Sequence, residues 1–323
     1  IDGYPTKRPM KLFYCDSLKC LEFLFSNPVF DGHIDFQPTR LYTTAGHLVR
    51  KYSEWMTGDS AWKTQMSTSL PDGATLVGAV LSSDKTNLTL GTGNRVAHPL
   101  LLSFANLHMD VRMKASENAF LLLALRPCPN FLCAKKLRGV LESRITHHCL
   151  DIVCKPLKVA ARLGRMMSDP RGYSQFCFTP LTAYIVDNPE AQMLACVGGK
   201  SSPVTVSMYK QFGDPFRHKP RMASTTLAQL DALLEVAPNP WDLDTYVKEA
   251  KKRHFNGVHR PFWSDWPLSD PSLFLTPEPL HQWHKQCWHH DISWCRNLLG
   301  DAEIDFQFSV LQPHIGFQHF AEG

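Results

Sequence analysis

The feature that most constrains this chain is an ordered series of apolar segments. Residues 74–81 (ATLVGAVL), 99–107 (PLLLSFANL) and 119–125 (AFLLLAL) are short, rich in aliphatic residues and bounded by turn formers. Runs of that length and composition suit buried strands. Leu70-Pro71-Asp72-Gly73 precedes the first run, Gly91 and Gly93 lie between the first two, and Pro127 and Pro129 close the third, so a meander is expected. From 134 to 167 the period changes. Leu137, Leu141, Ile145, Cys149, Ile152 and Val153 recur at steps of three and four, which places them on one face of a helix. Pro156 lies inside that pattern and is expected to kink or split it. After the turn Asp169-Pro170-Arg171-Gly172 comes a fourth short run, 182–186 (TAYIV), which ends at Asp187. Strand, strand, strand, helix, strand predicts an α/β fold with a mixed sheet flanked by helices.

The flanking regions read differently. Residues 17–26 (SLKCLEFLFS) and 43–55 (TTAGHLVRKYSEW) are expected to be two helices of an N-terminal helical segment, 1–70. The core would then begin at 71 and run to 197. Residues 198–274 are rich in Gly, Pro, Ser and aromatics, with helices expected over 225–235 and 241–254, and read as an insertion subdomain. In the last part, 275–323, a helix is expected over 276–299, with Pro277 in its first turn and Gly300 as its stop, completing the core.

Composition narrows the function classes. With 323 residues and 44% hydrophobic content the chain can bury a large core. No apolar run approaches the roughly 18 residues that a membrane-spanning helix needs. The sequence opens at Ile1 without a signal-peptide pattern and reads as an internal fragment. Its ten cysteines are thinly spread, which suits free thiols in a reduced compartment. The absence of any Cys-x-x-Cys leaves a zinc knuckle poorly supported. A net charge of +4 permits nucleic-acid binding without demanding it.

Two aspartates occupy chemically suggestive positions. Asp84 follows the first apolar run, in Leu81-Ser82-Ser83-Asp84-Lys85-Thr86, and Asp187 ends the fourth, in Tyr184-Ile185-Val186-Asp187-Asn188-Pro189-Glu190. This order of elements and acids is that of an RNase H-like nuclease core. Two-metal phosphoryl transfer needs carboxylates converging from neighbouring strand ends. The plainer reading is that each Asp opens a turn.

Four long segments, PDGATLVGAVLSSDKTNLT (71–89), FTPLTAYIVDNPEAQMLACVGGK (178–200), NGVHRPFWSDWPLSDPSLFLTPEPLHQWHK (256–285) and EIDFQFSVLQPHIGFQHFAEG (303–323), carry a resemblance. They are similar to the Plavaka transposases of basidiomycete fungi, distant relatives of the CACTA group. The resemblance implies an enzyme that cuts DNA with Mg²⁺ or Mn²⁺ and joins the freed 3′ ends to a target. It implies double-stranded DNA as partner, both transposon ends and target, a nuclear location and a possible homo-oligomer. By position it assigns Asp84 and Asp187 as the first and second metal-binding acids. It also points to Glu278 and His281, in Glu278-Pro279-Leu280-His281, as accessory groups at helical spacing. The alternative for that pair is a helix-start Glu beside a His stacked on Trp283 or Trp288. Two departures from the family pattern stand out. Ser202-Pro203-Val204-Thr205 occupies the stretch where many members carry Cys-x-x-Cys, and the last acid of the family is expected beyond Gly323.

Other constellations carry less. His281, His284, His289, His290 and Asp291 cluster in sequence but lack the His-Glu-x-x-His spacing. Ser82, Ser83 and Cys196 lack the flanking signatures of covalent hydrolases, and Gly91-Thr92-Gly93-Asn94 lacks the Lys-Ser/Thr of a phosphate loop. Lys248, Lys251, Lys252 and Arg253, followed by His254 and Phe255, could track a DNA backbone or could simply form a solvated helix face. The expected function is metal-dependent DNA cleavage and strand transfer. The alternatives are an inactive or domesticated transposon remnant that binds DNA or protein, and a zinc-dependent hydrolase.

Overall fold

The computed structural model describes residues 3–44, 46, 49–67, 70–87, 89, 96–276 and 285–310. The chain forms two compact units, Ile1–Thr276 and Pro277–Gly323. In the first unit β1 (Phe13–Tyr14) leads into α1 (Ser17–Phe25), which starts where the Asp16 carboxylate accepts the backbone N–H groups of Leu18 and Lys19. β2 (Leu41–Tyr42) and β3 (Arg50–Lys51) pair antiparallel, and α2 (Asp59–Gln65) follows. Next come β4 (Thr75–Leu76), β5 (Ala79–Ser83), the small pair β6 (Thr86–Asn87) and β7 (Val96–Ala97), β8 (Pro99–Phe104), α3 (Met109–Arg112) and β9 (Leu121–Leu125). The long α4 (Lys135–Leu163) leads to β10 (Arg165–Ser168), β11 (Ser174–Phe178), β12 (Leu181–Ile185) and α5 (Asn188–Leu194). α6 (Ala223–Val236), α7 (Leu243–Lys252) and α8 (Pro271–Phe274) complete the unit. The second unit contains α9 (Gln286–Leu299), ended by Gly300, and α10 (Asp301–Ser309).

The central sheet has five strands in the order β1-β9-β8-β5-β12. β5, β8, β9 and β1 run antiparallel to their neighbours, whereas β12 lies parallel to β5 on the other side. A parallel neighbour requires a crossover, and α4 lies in it. The mixed α/β class appears as the sequence predicts, and three of the four apolar runs each supply one strand of this sheet, β8, β9 and β12.

Three local expectations are corrected. The described residues of 43–55 form no α-helix. Thr43 N–H donates to Val49 O, and Arg50 stacks on the rings of Tyr42 and Tyr52 at 5.5 and 5.2 Å while donating to Thr57 O at 2.9 Å. The side chains that resemble the polar face of a helix instead gather about one hairpin.

The run 74–81 is not one strand. β4 joins a separate three-stranded sheet, β10-β11-β4, and β5 the central one, with Gly78 between them. A Cβ on Gly78 would lie 2.6 Å from Thr182 Cγ2, so only glycine lets the chain pass from one sheet to the other. Pro156 neither ends nor splits α4, which continues to Leu163. The buried face formed by Ile145, Leu150, Val153 and Leu157 outweighs the single backbone bond that proline forgoes. The helix stops at Gly164 (φ +73°), short of the expected 167, and the chain turns back as β10.

The largest buried cluster joins most of the elements of the first unit. Leu21, Leu24 and Phe25 of α1, Leu81, Leu102 and Phe104 of the sheet, and Leu150 and Leu157 of α4 pack with Phe262, Trp263, Trp266 and Phe274. The buried indoles are anchored: Trp263 donates to Leu194 O and Trp266 to Thr179 O, at 2.8 and 3.0 Å. The Pro- and aromatic-rich stretch is thus part of the same core as the strands. No helix among the described residues is long and apolar enough to cross a membrane.

Candidate active site

Asp84 lies one residue beyond β5, and Asp187 two residues beyond β12. In the parallel ladder Ile185 pairs with Ser82, so each aspartate is two residues past a paired position. The register brings the ends of the two adjacent parallel strands level, and each aspartate follows its strand end by one or two residues. Both residues are exposed. Asp187 is also the N-cap of α5, its Oδ1 accepting the N–H of Glu190 at 2.9 Å. That bond is the local reason a helix begins there, and it leaves Oδ2 turned to other uses.

Beneath this pair lies a buried charge network that sequence reading did not single out. Glu190, on the first turn of α5, accepts from Arg126 Nη2 at 2.6 Å and from Ser83 Oγ at 2.9 Å, with His98 Nε2 3.4 Å away. Arg126 and His98 also touch each other, and Ser83 Oγ lies 3.2 Å from the Tyr184 hydroxyl. Burial pushes the Glu190 carboxyl up, but the hydrogen bond from His98 and the charge of Arg126 outweigh it and hold the group below the ordinary glutamate value. The network joins β5 (Ser83), the ends of β7 and β9 (His98, Arg126) and α5 (Glu190) at the strand end that carries Asp84. The only signal in the sequence was an Arg closing an otherwise apolar run, a position where charge must find a partner.

The remaining expected site residues are distributed as follows. Glu278 and His281, with His284, lie outside the described residues, as does the 91–94 segment. Lys248, Lys251, Lys252 and Arg253 lie exposed along and just beyond α7, whose opposite face buries Leu243, Tyr246, Val247 and Ala250. Lys252 is paired with Glu249 at 2.6 Å. His289 and His290 are exposed on α9. Ser83 is a bracing hydroxyl. Cys196 is fully buried, and burial raises its thiol pKa, opposite to what a nucleophile requires. All ten cysteines are free thiols.

A cavity of about 750 Å³ contains neither aspartate and is lined by Arg144, His148, Asp151, Trp241 and His259 among others. Its buried cation is already committed, since Arg144 donates to Gly257 O and Pro240 O and lies over the rings of Trp241 and Tyr246.

Fold and site together define a mixed α/β protein with a five-stranded mixed sheet packed against helices, and two aspartates just beyond the level ends of its parallel strand pair. The family model described as Plavaka transposase matches residues 2–295, and the chain belongs to that family. A comparison with curated proteins finds no match.

Proposed function

We propose that this chain is a transposase that cleaves DNA and transfers the freed strand, with Asp84 and Asp187 as two of its metal-binding carboxylates. The observation that carries the proposal is the β5–β12 register, which brings level the two strand ends that Asp84 and Asp187 follow. The strand order supports it. An RNase H-like reading calls for three antiparallel strands, a helix, and a further strand parallel to the first, and β5, β8, β9, α4 and β12 follow that order.

Exposed carboxylate oxygens are the hard donors that Mg²⁺ and Mn²⁺ prefer, so the residues fit such a cation. A bound pair of these ions would supply Lewis-acid activation of the attacking and leaving oxygens. Asp84 and Asp187 would hold the cations. Glu190 is already committed to Arg126 and acts on position: it ties Ser83, and so the end of β5, to the start of α5. Lys248, Lys251, Lys252 and Arg253 offer the DNA backbone an exposed row of charge. Glu278 and His281 would contribute accessory contacts to the scissile phosphate. Activity on chromosomal DNA places the protein in the nucleus.

The test is Mn²⁺-dependent nicking of transposon-end DNA by the full-length protein. Asp84→Ala and Asp187→Ala are each expected to abolish nicking while DNA binding persists. Undiminished nicking by either variant overturns the assignment. Asp187 would keep its capping duty in a chain that binds DNA without cutting it, and binding without nicking by the native protein would establish that second reading.

A further inference from the structure

Among the described residues, one group of side chains outside the proposed active site has the spacing of a metal centre. His33, His108 and Asp110 each offer a ligand atom, and these atoms all lie within 4.8 Å of one another. The group lies at the other end of the central sheet. Ala79, at the start of β5, pairs with Phe104, the last residue of β8, so the 105–110 segment leaves the sheet where β5 enters it. Asp84 follows the far end of β5, about 15 Å away at the rise of a strand.

The backbone holds the group in place. Ile34 and Leu107 form an antiparallel bridge, His108 N–H donates to His33 O at 2.9 Å, and Asp35 N–H donates to Asn106 O at 3.0 Å. These bonds set His33 opposite His108, with ring centroids 6.1 Å apart and planes nearly perpendicular. Asn106, only 1% exposed, fixes the frame to the sheet. Its amide donates to Asp35 O and Leu76 O and its oxygen accepts from Gly78 N–H. Arg112 grips Leu107 O at 2.9 Å, and the Glu54 carboxylate accepts Met109 N–H at 3.1 Å, so the segment carrying Asp110 is held from both sides.

The second independent observation is Asp35. Its Oδ1 lies 3.2 Å from Nε2 of His108. A carboxylate on one ring nitrogen fixes the tautomer and leaves the lone pair of the other for a metal, the usual outer-shell arrangement of a ligating histidine. Two imidazoles and one carboxylate suit Zn²⁺, with water in the fourth position, which the exposure of Asp110 permits.

We propose that His33, His108 and Asp110 bind one zinc ion, with Asp35 orienting His108, and that the ion clips the segment before β2 to the segment after β8. The proposal is independent of the catalytic assignment.

The experiment uses the full 323-residue chain stripped by a chelator, titrated with Zn²⁺ by calorimetry and with Co²⁺ by visible spectroscopy. One equivalent of Zn²⁺ is expected to bind and raise the unfolding temperature. The Co²⁺ form should show d–d bands without a thiolate charge-transfer band. Asp110→Asn, at an exposed position that the fold tolerates, should weaken binding at least tenfold, and Asp35→Asn about 10- to 100-fold. His33→Ala/His108→Ala should abolish binding. Asp84→Ala should leave the equivalent intact, which separates this site from the catalytic one. No uptake by the native chain, a thiolate spectrum, or unchanged affinity in Asp110→Asn overturns the proposal.

Discussion

Arg126 and Glu190 meet at 2.6 Å with side chains 2% and 12% exposed, so neither charge can rely on water. Arg126 Nε and Nη1 find no partner among the described residues, which makes the pair energetically expensive and its placement beside the two aspartates informative. Glu190→Gln should destabilise the fold by about 3–5 kcal/mol in denaturant titrations, because it strands a buried guanidinium. Replacing Arg126 with Met in that background should recover part of the loss. The sign with pH follows from the depressed carboxyl of Glu190: its contribution is present above the ordinary glutamate pKa and is lost as pH falls through the folded value.

His147 behaves similarly for a different reason. Burial holds it at about 4, neutral, with Nδ1 accepting from Phe262 N–H and Nε2 donating to Met193 O. The unfolded chain takes up that proton near pH 6.5, so stability should fall by roughly 3 kcal/mol between there and pH 4. His259, also held at about 4 by burial, adds with the same sign. Melts across that range should show the loss, and His147→Gln should flatten it. At this scale Asp84 and Asp187 were legible because each follows an apolar run. Arg126, His98 and Glu190 were not, because their partners lie 28 to 92 residues apart in the chain.

At the scale of elements, periodicity located β5, β8, β9, β12 and α4, whereas β1, β10 and β11 were not expected, and two of the errors fall where a single residue redirects the backbone. α4 is continuous through Pro156 because its apolar face is buried along its length, whereas Gly164 ends it abruptly. At φ +73° and ψ 162° that residue occupies a region reserved for glycine, and a Cβ there would overlap the ring of Phe176. Gly164→Ala should therefore cost at least the 1–3 kcal/mol typical of such backbone strain, and should loosen the β10–β11 hairpin in hydrogen exchange. Wild-type protection in that hairpin would refute this account. Gly78 at the β4–β5 junction shares the steric part alone, since a Cβ there would crowd Thr182. The 43–55 hairpin was missed because a polar stretch of alternating size supports either period, and only pairing of Tyr42 with Arg50 chooses between them.

At the scale of the whole molecule, α4, the sheet and the 198–276 region share one core. Phe255, Phe262, Trp263, Trp266 and Phe274 are each at most 3% exposed. A chain ending at Thr276 should retain a single cooperative unfolding transition, whereas one ending at 197 should lose it and expose apolar surface to a hydrophobic dye. Retained cooperativity in the shorter chain would show that the aromatic residues are dispensable.

The sequence by itself determined the class of fold, the order of its strands and the two aspartates beside them. Periodicity and turn chemistry are local, and they survive without knowledge of partners. Tertiary structure alone decided that β12 pairs parallel to β5 with Ile185 opposite Ser82, that Glu190 meets Arg126, and that His33 faces His108. Register and burial depend on segments distant in the chain, where hydrogen-bond geometry and close packing select one pairing among many that local propensity allows.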